Sequence, residues 1–363
     1  MRYILLPLFL LTMLCSQAQQ PLKTEHVFIV TFDGYRWQEL YRGADKHVIN
    51  SKKHVRDIAA TKKKYWAETV QERRHKLMPF FWDTLVKQAT FIGNRDKGSK
   101  MKITNPALVS YPGYNEIFSG YGDPKIKNNS TPDNPNNTLF DLLQCNANYK
   151  DKCVAVASWD AFTRIFNTKR SGAAVFCTYK CEGGNITSNN TTYNSYSTNI
   201  PASNQYSEYD TITYRFAKEY LHRNHPRVAF IGFDETDHFG HEGQYDAYLD
   251  AANLMDKYIQ DLWNFIQSEP QYKDKTTLLI TTDHGRGGKH LAMWRHHGWP
   301  VAKARAIWMV AIGPDTPAMG EVTRKTSKKV FYQKQVGPTA AKLLGIEFYK
   351  GKKIGKAVDL VVK

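Results

Sequence analysis

The chain has 363 residues, 42% of them hydrophobic, with 50 Lys and Arg against 34 Asp and Glu for a formal net charge of +16; it is long enough for one large α/β core with insertions. The basic excess favours anionic partners, but clusters such as Lys62-Lys63-Lys64 and Lys350-Gly351-Lys352-Lys353 are offset by acids elsewhere. With no zinc finger, aromatic-basic RNA motif or other nucleic-acid module, most of this charge reads as solvated surface.

The first residues are Met1 and Arg2, an apolar stretch from Tyr3 to Leu14, and the small-polar-small close Ser16-Gln17-Ala18. This pattern predicts a cleaved secretory signal over 1–18, with the mature chain starting at Gln19 and exported to the periplasm or medium. The stretch is shorter than the roughly 20 apolar residues a membrane span needs, and no later run reaches that length. Cys15 offers lipidation as an alternative, but Leu14 stands where a lipoprotein signal carries a small residue. Cys145, Cys153, Cys177 and Cys181 remain after cleavage, an even number that suits two disulfides in an oxidising compartment. Neighbour pairing, Cys145 with Cys153 and Cys177 with Cys181, is the simplest of the three connectivities.

Five short apolar, β-branched runs follow: His26 to Phe32, Cys153 to Ala157, Arg227 to Phe233, Thr276 to Thr282 and Ala306 to Ile312. Continuous apolar runs of this length predict strands buried on both faces, and hence a parallel sheet between helices. Tyr245 to Gln267 carries apolar residues at three- and four-residue steps, a long amphipathic helix; shorter helices are expected over Pro79 to Lys87 and Val336 to Leu344. The charged stretch 44–76 reads as a helical insertion. The Asn-, Ser-, Thr- and Tyr-rich stretch 179–206 reads as a long loop or small cap and includes the glycosylation triplet Asn185-Ile186-Thr187.

In open parallel sheets, ligands collect beyond the carboxyl ends of the strands. Three expected strands run into such groups: the first into Asp33-Gly34, the third into Asp234-Glu235-Thr236-Asp237-His238-Phe239-Gly240-His241, the fourth into Asp283-His284-Gly285. Imidazoles and carboxylates without thiolates suit zinc, with manganese or iron as alternatives, and the Asp237-x-x-x-His241 spacing sets two ligands one turn apart. Each group alone is as readily a helix cap or a hydrogen-bonded histidine; three at one sheet edge point to a metal. Ser110 stands just before Pro112 at an expected helix start, where the dipole favours an anion. By itself this segment is an ordinary N-cap with a downstream Glu116.

Taken together, Asp33, Ser110, Asp237-x-x-x-His241, Asp283-His284 and His297-Gly298 resemble the alkaline phosphatase superfamily, and within it the type I phosphodiesterase/nucleotide pyrophosphatase branch. The cofactor-independent phosphoglycerate mutases are more distant relatives. The resemblance implies a three-layer α/β sandwich, a mostly parallel sheet flanked by helices with a small cap, forming a single catalytic domain over 19–363 with insertions near 44–76 and 179–206. It implies two divalent metal ions, zinc: one held by Asp33, Asp283 and His284 and touching Ser110, the other held by Asp237, His241 and His297. His297 is chosen over His296 because the family's last ligand precedes glycine. An Asn about twenty residues beyond the nucleophile contacts the phosphoryl oxygens in that branch; Asn128 and Asn129 fall there, and Asn129 is favoured.

The chain departs from the branch by having Ser110-Tyr111-Pro112-Gly113-Tyr114 where Thr-Phe-Pro-Asn-His is common, and Tyr114 occupies the place of the Arg in the sulfatase maturation motif. The activity implied is hydrolysis of a small phosphorylated substrate, monoester or diester, through a phosphoserine. Lys169 or Arg170 are expected to add charge to the site, and Trp159, Tyr111 or Trp299 to stack on a leaving group. The alternatives are a mutase-like phosphotransferase, a sulfate or phosphonate ester hydrolase, and a non-catalytic envelope-binding protein.

Overall fold

The computed structural model describes residues 21–177, 207–288 and 292–362, and the backbone of 180–182. The expected leader with Cys15, the triplet at Asn185, nearly all of 179–206 and the Cys181 side chain lie outside the described residues. Twelve strands are numbered in chain order: β1 His26–Phe32, β2 Thr90–Ile92, β3 Lys100–Lys102, β4 Cys153–Ala157, β5 Ala174–Cys177, β6 Lys180–Glu182, β7 Val228–Phe233, β8 Thr276–Thr281, β9 Ala306–Ile307, β10 Met309–Ile312, β11 Gly320–Glu321 and β12 Val330–Tyr332. Nine of them form one sheet in the order β11-β2-β10-β8-β1-β7-β4-β5-β6, and β12-β3-β9 form a small second sheet.

The five central strands, β8-β1-β7-β4-β5, are parallel. They are apolar throughout because both faces are covered. On β1, Phe28, Val30 and Phe32 face one apolar cluster and Val27 and Ile29 the other, which makes the architecture a three-layer α/β sandwich. Five helices matter below: α1 Ser110–Ser119, α2 Asp210–Asn224, α3 Glu235–Glu242, α4 Tyr245–Ser268 and α5 Val336–Leu343. The stripe Tyr248, Leu249, Ala252, Met255, Ile259, Leu262 and Ile266 lays α4 against the first face, while α1 and α5 cover the second. The charged stretch 44–76 holds the helix Ile58–Tyr65 and the start of Val70–Leu77, the latter opened by a Thr69–Glu72 capping box.

Two expectations are corrected here. The apolar run Ala306 to Ile312 is not one parallel strand: it breaks at Trp308 into β9, in the small sheet, and β10, antiparallel to β8. An apolar run records burial on both faces but not strand direction, and Trp308 leaves the ladder to donate its indole N–H to the Tyr35 carbonyl at 2.9 Å. Cys145 and Cys153 are free thiols rather than a disulfide. Cys153 is buried at the start of β4 while Cys145 ends the helix Leu139–Gln144 on the exposed side.

Candidate active site and metal centre

Because β8, β1 and β7 are adjacent and parallel, the residues that follow them emerge side by side at one edge. Asp33 follows β1, Asp237 and His241 lie on α3 just after β7, and Asp283 and His284 follow β8. The helix α1 brings Ser110 to the same edge, and Gly113 permits the approach: a Cβ there would stand 2.6 Å from the Asp283 carbonyl oxygen. Leu108, in the left-handed region at φ 59°, sets the turn before Ser110, and its carbonyl accepts from Gly298 N at 2.8 Å and lies 3.2 Å from His297 Nδ1. One backbone oxygen thus ties the serine turn to the His297 loop.

His284 Nε2 lies at the centre of the cluster, 3.5 Å from Asp33 Oδ1, 3.4 Å from Asp283 Oδ2, 3.7 Å from Asp237 Oδ1 and 3.3 Å from Ser110 Oγ. Its Nδ1 faces the Gly285 carbonyl at 3.0 Å, so the proton belongs on Nδ1 and Nε2 presents a lone pair; His297 is oriented in the same way by Leu108. Asp33 Oδ2 accepts from the Tyr114 hydroxyl at 3.0 Å, and Asp283 Oδ1 accepts from Gly34 N and His284 N. The other oxygens, Asp33 Oδ1 and Asp283 Oδ2, are buried without a hydrogen-bond partner among the described residues. Unpaired buried carboxylate oxygens are costly, and a cation is the partner that fits this donor set.

Two groups of three ligands have mutually close donor atoms, Asp33-Asp283-His284 and Asp237-His284-His297. His241 joins the second region: its Nε2 is 3.1 Å from Asp237 Oδ2 and 2.8 Å from His297 Nε2. His296 is exposed, whereas the His297 ring stacks on His284 with centroids 3.7 Å apart.

The electrostatics match a cation-seeking site. Burial and the Asp283 and Asp237 charges push Asp33 well above the ordinary carboxylate range, and burial with Asp237 pushes Asp283 up to about 7. For Asp237, burial also pushes upward, but the Arg286 guanidinium with His297 and His241 outweighs it and holds the group well below its usual value. Burial pulls His297 down to about 4 and His284 well below its ordinary value, so both rings are neutral ligands at pH 7.

The structure separates Asn129 from Asn128. Asn129 Oδ1 accepts from Tyr111 N at 3.0 Å, in the first turn of α1, whereas Asn128 folds back on Ser130 N in an exposed turn. Three other expectations are corrected. Arg170 is engaged with Asp141 and the carbonyls of Asn134 and Asn136, and Lys169 is exposed beside Asp133, so neither lends charge to the cluster. Tyr111 is fully buried, its hydroxyl held by the carbonyls of Pro132 and Arg164, which makes it core. Trp159 is half-buried beside Tyr114 and Phe162, while Trp299 is 78% exposed two residues past His297.

Sequence reasoning missed Arg286, Tyr114 as a partner of Asp33, and Gln333. Arg286 is buried and donates to Asp237 Oδ1 and to the Trp294 and Arg295 carbonyls. Gln333 is buried and holds the carbonyls of Thr282 and Asp283. Arg286 directly follows Asp283-His284-Gly285, which is the one signal that pointed to it; nothing local marks Gln333.

A doubly covered parallel sheet with carboxylates and histidines at its carboxyl edge around a buried serine fits an α/β enzyme of the alkaline phosphatase superfamily. Residues 52–289 match the family model of the type I phosphodiesterase / nucleotide pyrophosphatases. The chain belongs to that family and is a phosphoric ester hydrolase; members of the superfamily use divalent metals. The lipoteichoic acid synthase LtaP from Listeria monocytogenes is 13% identical with a TM-score of 0.59, over 93% of this chain and 75% of that one. Wild-type alkaline phosphatase PafA is 13% identical with a TM-score of 0.58, over 95% and 100%. The phosphonate monoester hydrolase SpPMH from Silicibacter pomeroyi is 12% identical with a TM-score of 0.56, over 92% and 76%. These likenesses concern the fold. No curated protein matches the sequence, and no helix among the described residues is long and apolar enough to cross a membrane.

Proposed function

We propose that this chain is an exported hydrolase of small phosphate esters that works with two zinc ions and forms a phosphoserine on Ser110. The export signal is 1–18, and 19–363 is one catalytic domain. The observation that carries the reading is the convergence of two unpartnered buried carboxylate oxygens, Asp33 Oδ1 and Asp283 Oδ2, on His284 Nε2, which lies 3.3 Å from Ser110 Oγ.

Asp33, Asp283 and His284 would hold one ion, Asp237, His241 and His297 the other. Bound there, the ions supply Lewis-acid stabilisation of the serine oxygen and of the phosphoryl charge. The remaining chemistry falls to the chain. Ser110 Oγ loses its proton to solvent and attacks phosphorus in line, forming the Oγ–P bond as the bond to the leaving oxygen breaks, and that oxygen departs with a proton from water. Asn129, anchored through its Oδ1 to the first turn of α1, turns its amide N–H toward the phosphoryl oxygens. Water then attacks from the side the leaving group vacated; the Oγ–P bond breaks, Ser110 regains a proton, and the two inversions retain configuration at phosphorus. Tyr114, buried with its hydroxyl on Asp33, replaces the arginine of the sulfatase maturation motif and weighs against a formylglycine sulfatase.

The test is turnover of p-nitrophenyl phosphate, bis-p-nitrophenyl phosphate and p-nitrophenyl sulfate, with zinc and after chelation, alongside Ser110→Ala. Zinc-dependent release from a phosphate ester, reduced by at least about 10³-fold in Ser110→Ala, is the expected result, and the preferred ester gives the branch. Zinc binding with no turnover of any of the three would turn the reading toward a mutase or a binding role.

A further inference from the structure

A concavity of about 760 Å³ is walled by the β1 exit, the Arg95 turn and the β9 approach. Its rim carries Arg36, Arg42, Arg95, Lys102, Lys303 and Arg305, with Asp45 as the lone acid among the described residues. Two of the six cations are already neutralised. Arg36 forms a buried pair with Glu39, and Arg42 pairs with Asp96 while lying over the Trp37 ring.

The other four have no acidic partner among the described residues. Arg305 Nη1 meets only the carbonyls of Ile103 and Asn105. Arg95 Nη2 meets the Met101 carbonyl, and its Nε is buried with no partner among the described residues. Burial pulls the Arg95 guanidinium below its ordinary value, with no acid to offset it. Like charges gathered in a concavity repel one another and focus a positive potential, and an unpaired buried guanidinium N–H is costly. Both costs are relieved by one kind of occupant. Guanidinium forks match tetrahedral oxyanions, and the volume exceeds what one phosphate fills.

We infer that the pocket formed by Arg95, Lys102, Lys303 and Arg305 is a binding site for a di- or oligophosphate group, separate from the metal cluster. Arg36 fixes its position relative to that cluster: it lies three residues past Asp33 and donates to the Gly287 carbonyl, one residue past Arg286.

The test is calorimetric titration of inorganic pyrophosphate into the full chain in a chelating buffer. Metal chemistry is then absent, and the result stands or falls independently of the proposed hydrolysis. Arg95→Gln/Arg305→Gln should weaken binding by at least about 10-fold, which is about 1.4 kcal/mol. Lys102→Gln/Lys303→Gln, whose side chains make no hydrogen bond or ion pair among the described residues, should weaken it several-fold without touching the fold, and Lys62→Gln/Lys63→Gln should leave it unchanged. Equal affinity in wild type and both pocket variants, or no wild-type binding at about 1 mM, would overturn the inference.

The source of the phosphate is read from kinetics, and this arm rests on the proposed hydrolysis. If KM for 5-phosphoribosyl 1-diphosphate rises in Lys102→Gln/Lys303→Gln while that for p-nitrophenyl phosphate holds, the pocket takes a diphosphate carried by the substrate. If neither moves while pyrophosphate binding is lost, it takes a free anion.

Discussion

Arg286 donates to Asp237 Oδ1 from a buried slot that exists because residues 34 and 240 are glycines. A Cβ at Gly240 would lie 2.7 Å from Arg286 Cζ, and one at Gly34 would lie 2.4 Å from Asp237 Oδ1 and 2.8 Å from Arg286 Nη1. The guanidinium occupies one carboxylate oxygen and leaves Asp237 Oδ2 facing His241 at 3.1 Å.

Arg286→Gln and Gly240→Ala should therefore do similar damage by different routes. Removing one partner of a buried pair costs roughly 3–5 kcal/mol, and overpacking the slot costs about 1–3 kcal/mol. Denaturant titration of the metal-free chain gives both numbers. Zinc titration against a chromophoric chelator should show one of two zinc equivalents weakened about 10-fold or more in each variant. Unaltered zinc affinity would mean that Arg286 acts on the fold alone.

In the proposed mechanism Asn129 has two functional ends, and substitutions separate them. Asn129→Ala loses the bond to Tyr111 N and the amide N–H together, and should lower kcat/KM by about 10²-fold. Asn129→Asp keeps an acceptor for Tyr111 N but replaces the N–H by a charged oxygen facing the phosphoryl group. It should preserve stability within about 1 kcal/mol and lose at least as much activity. If Asn129→Asp is as active as wild type, the residue only caps α1.

Trp299 is largely exposed beside the His297 loop, so Trp299→Ala should leave the melting temperature unchanged. With an aromatic leaving group it should raise KM about 2- to 13-fold, the range of a lost ring contact of about 0.5–1.5 kcal/mol. An equal effect on methyl and p-nitrophenyl esters would argue against stacking.

His26 supplies a pH signature remote from the cluster around His284. Its Nδ1 faces the Pro226 carbonyl at 3.3 Å, its ring stands edge-on to Tyr272 with centroids 4.9 Å apart, and its Nε2 is buried without a partner. Burial lowers its pKa from 6.5 to about 4. The folded state therefore binds fewer protons than the unfolded one, and the stability contributed by the neutral ring is present above pH 6.5 and lost as pH falls toward 4. His26→Phe retains the contact with Tyr272 and cannot protonate. The stability difference between wild type and variant, measured with urea at several pH values, should change by up to about 1.4 kcal/mol per pH unit in that window and stay flat above it.

The apolar runs and the long stripe of Tyr245 to Gln267 determined the α/β class, because continuous and 3.6-residue apolar patterns have few ways to be buried. The residues after three of those runs, Asp33, Asp237 with His241, and Asp283 with His284, were legible as one site because parallel strands deliver their carboxyl ends to a common edge. Only the tertiary structure decided what depends on packing between distant segments. It turned β10 antiparallel, it left Cys145 and Cys153 unpaired, and it spent Arg170 on Asp141 and Tyr111 on the core. It also brought Tyr114 to Asp33, Gln333 to the Asp283 carbonyl and Arg286 into a slot between two glycines. Local pattern records how much of a side chain is buried, whereas its partners are set by where the fold places the other chain segments.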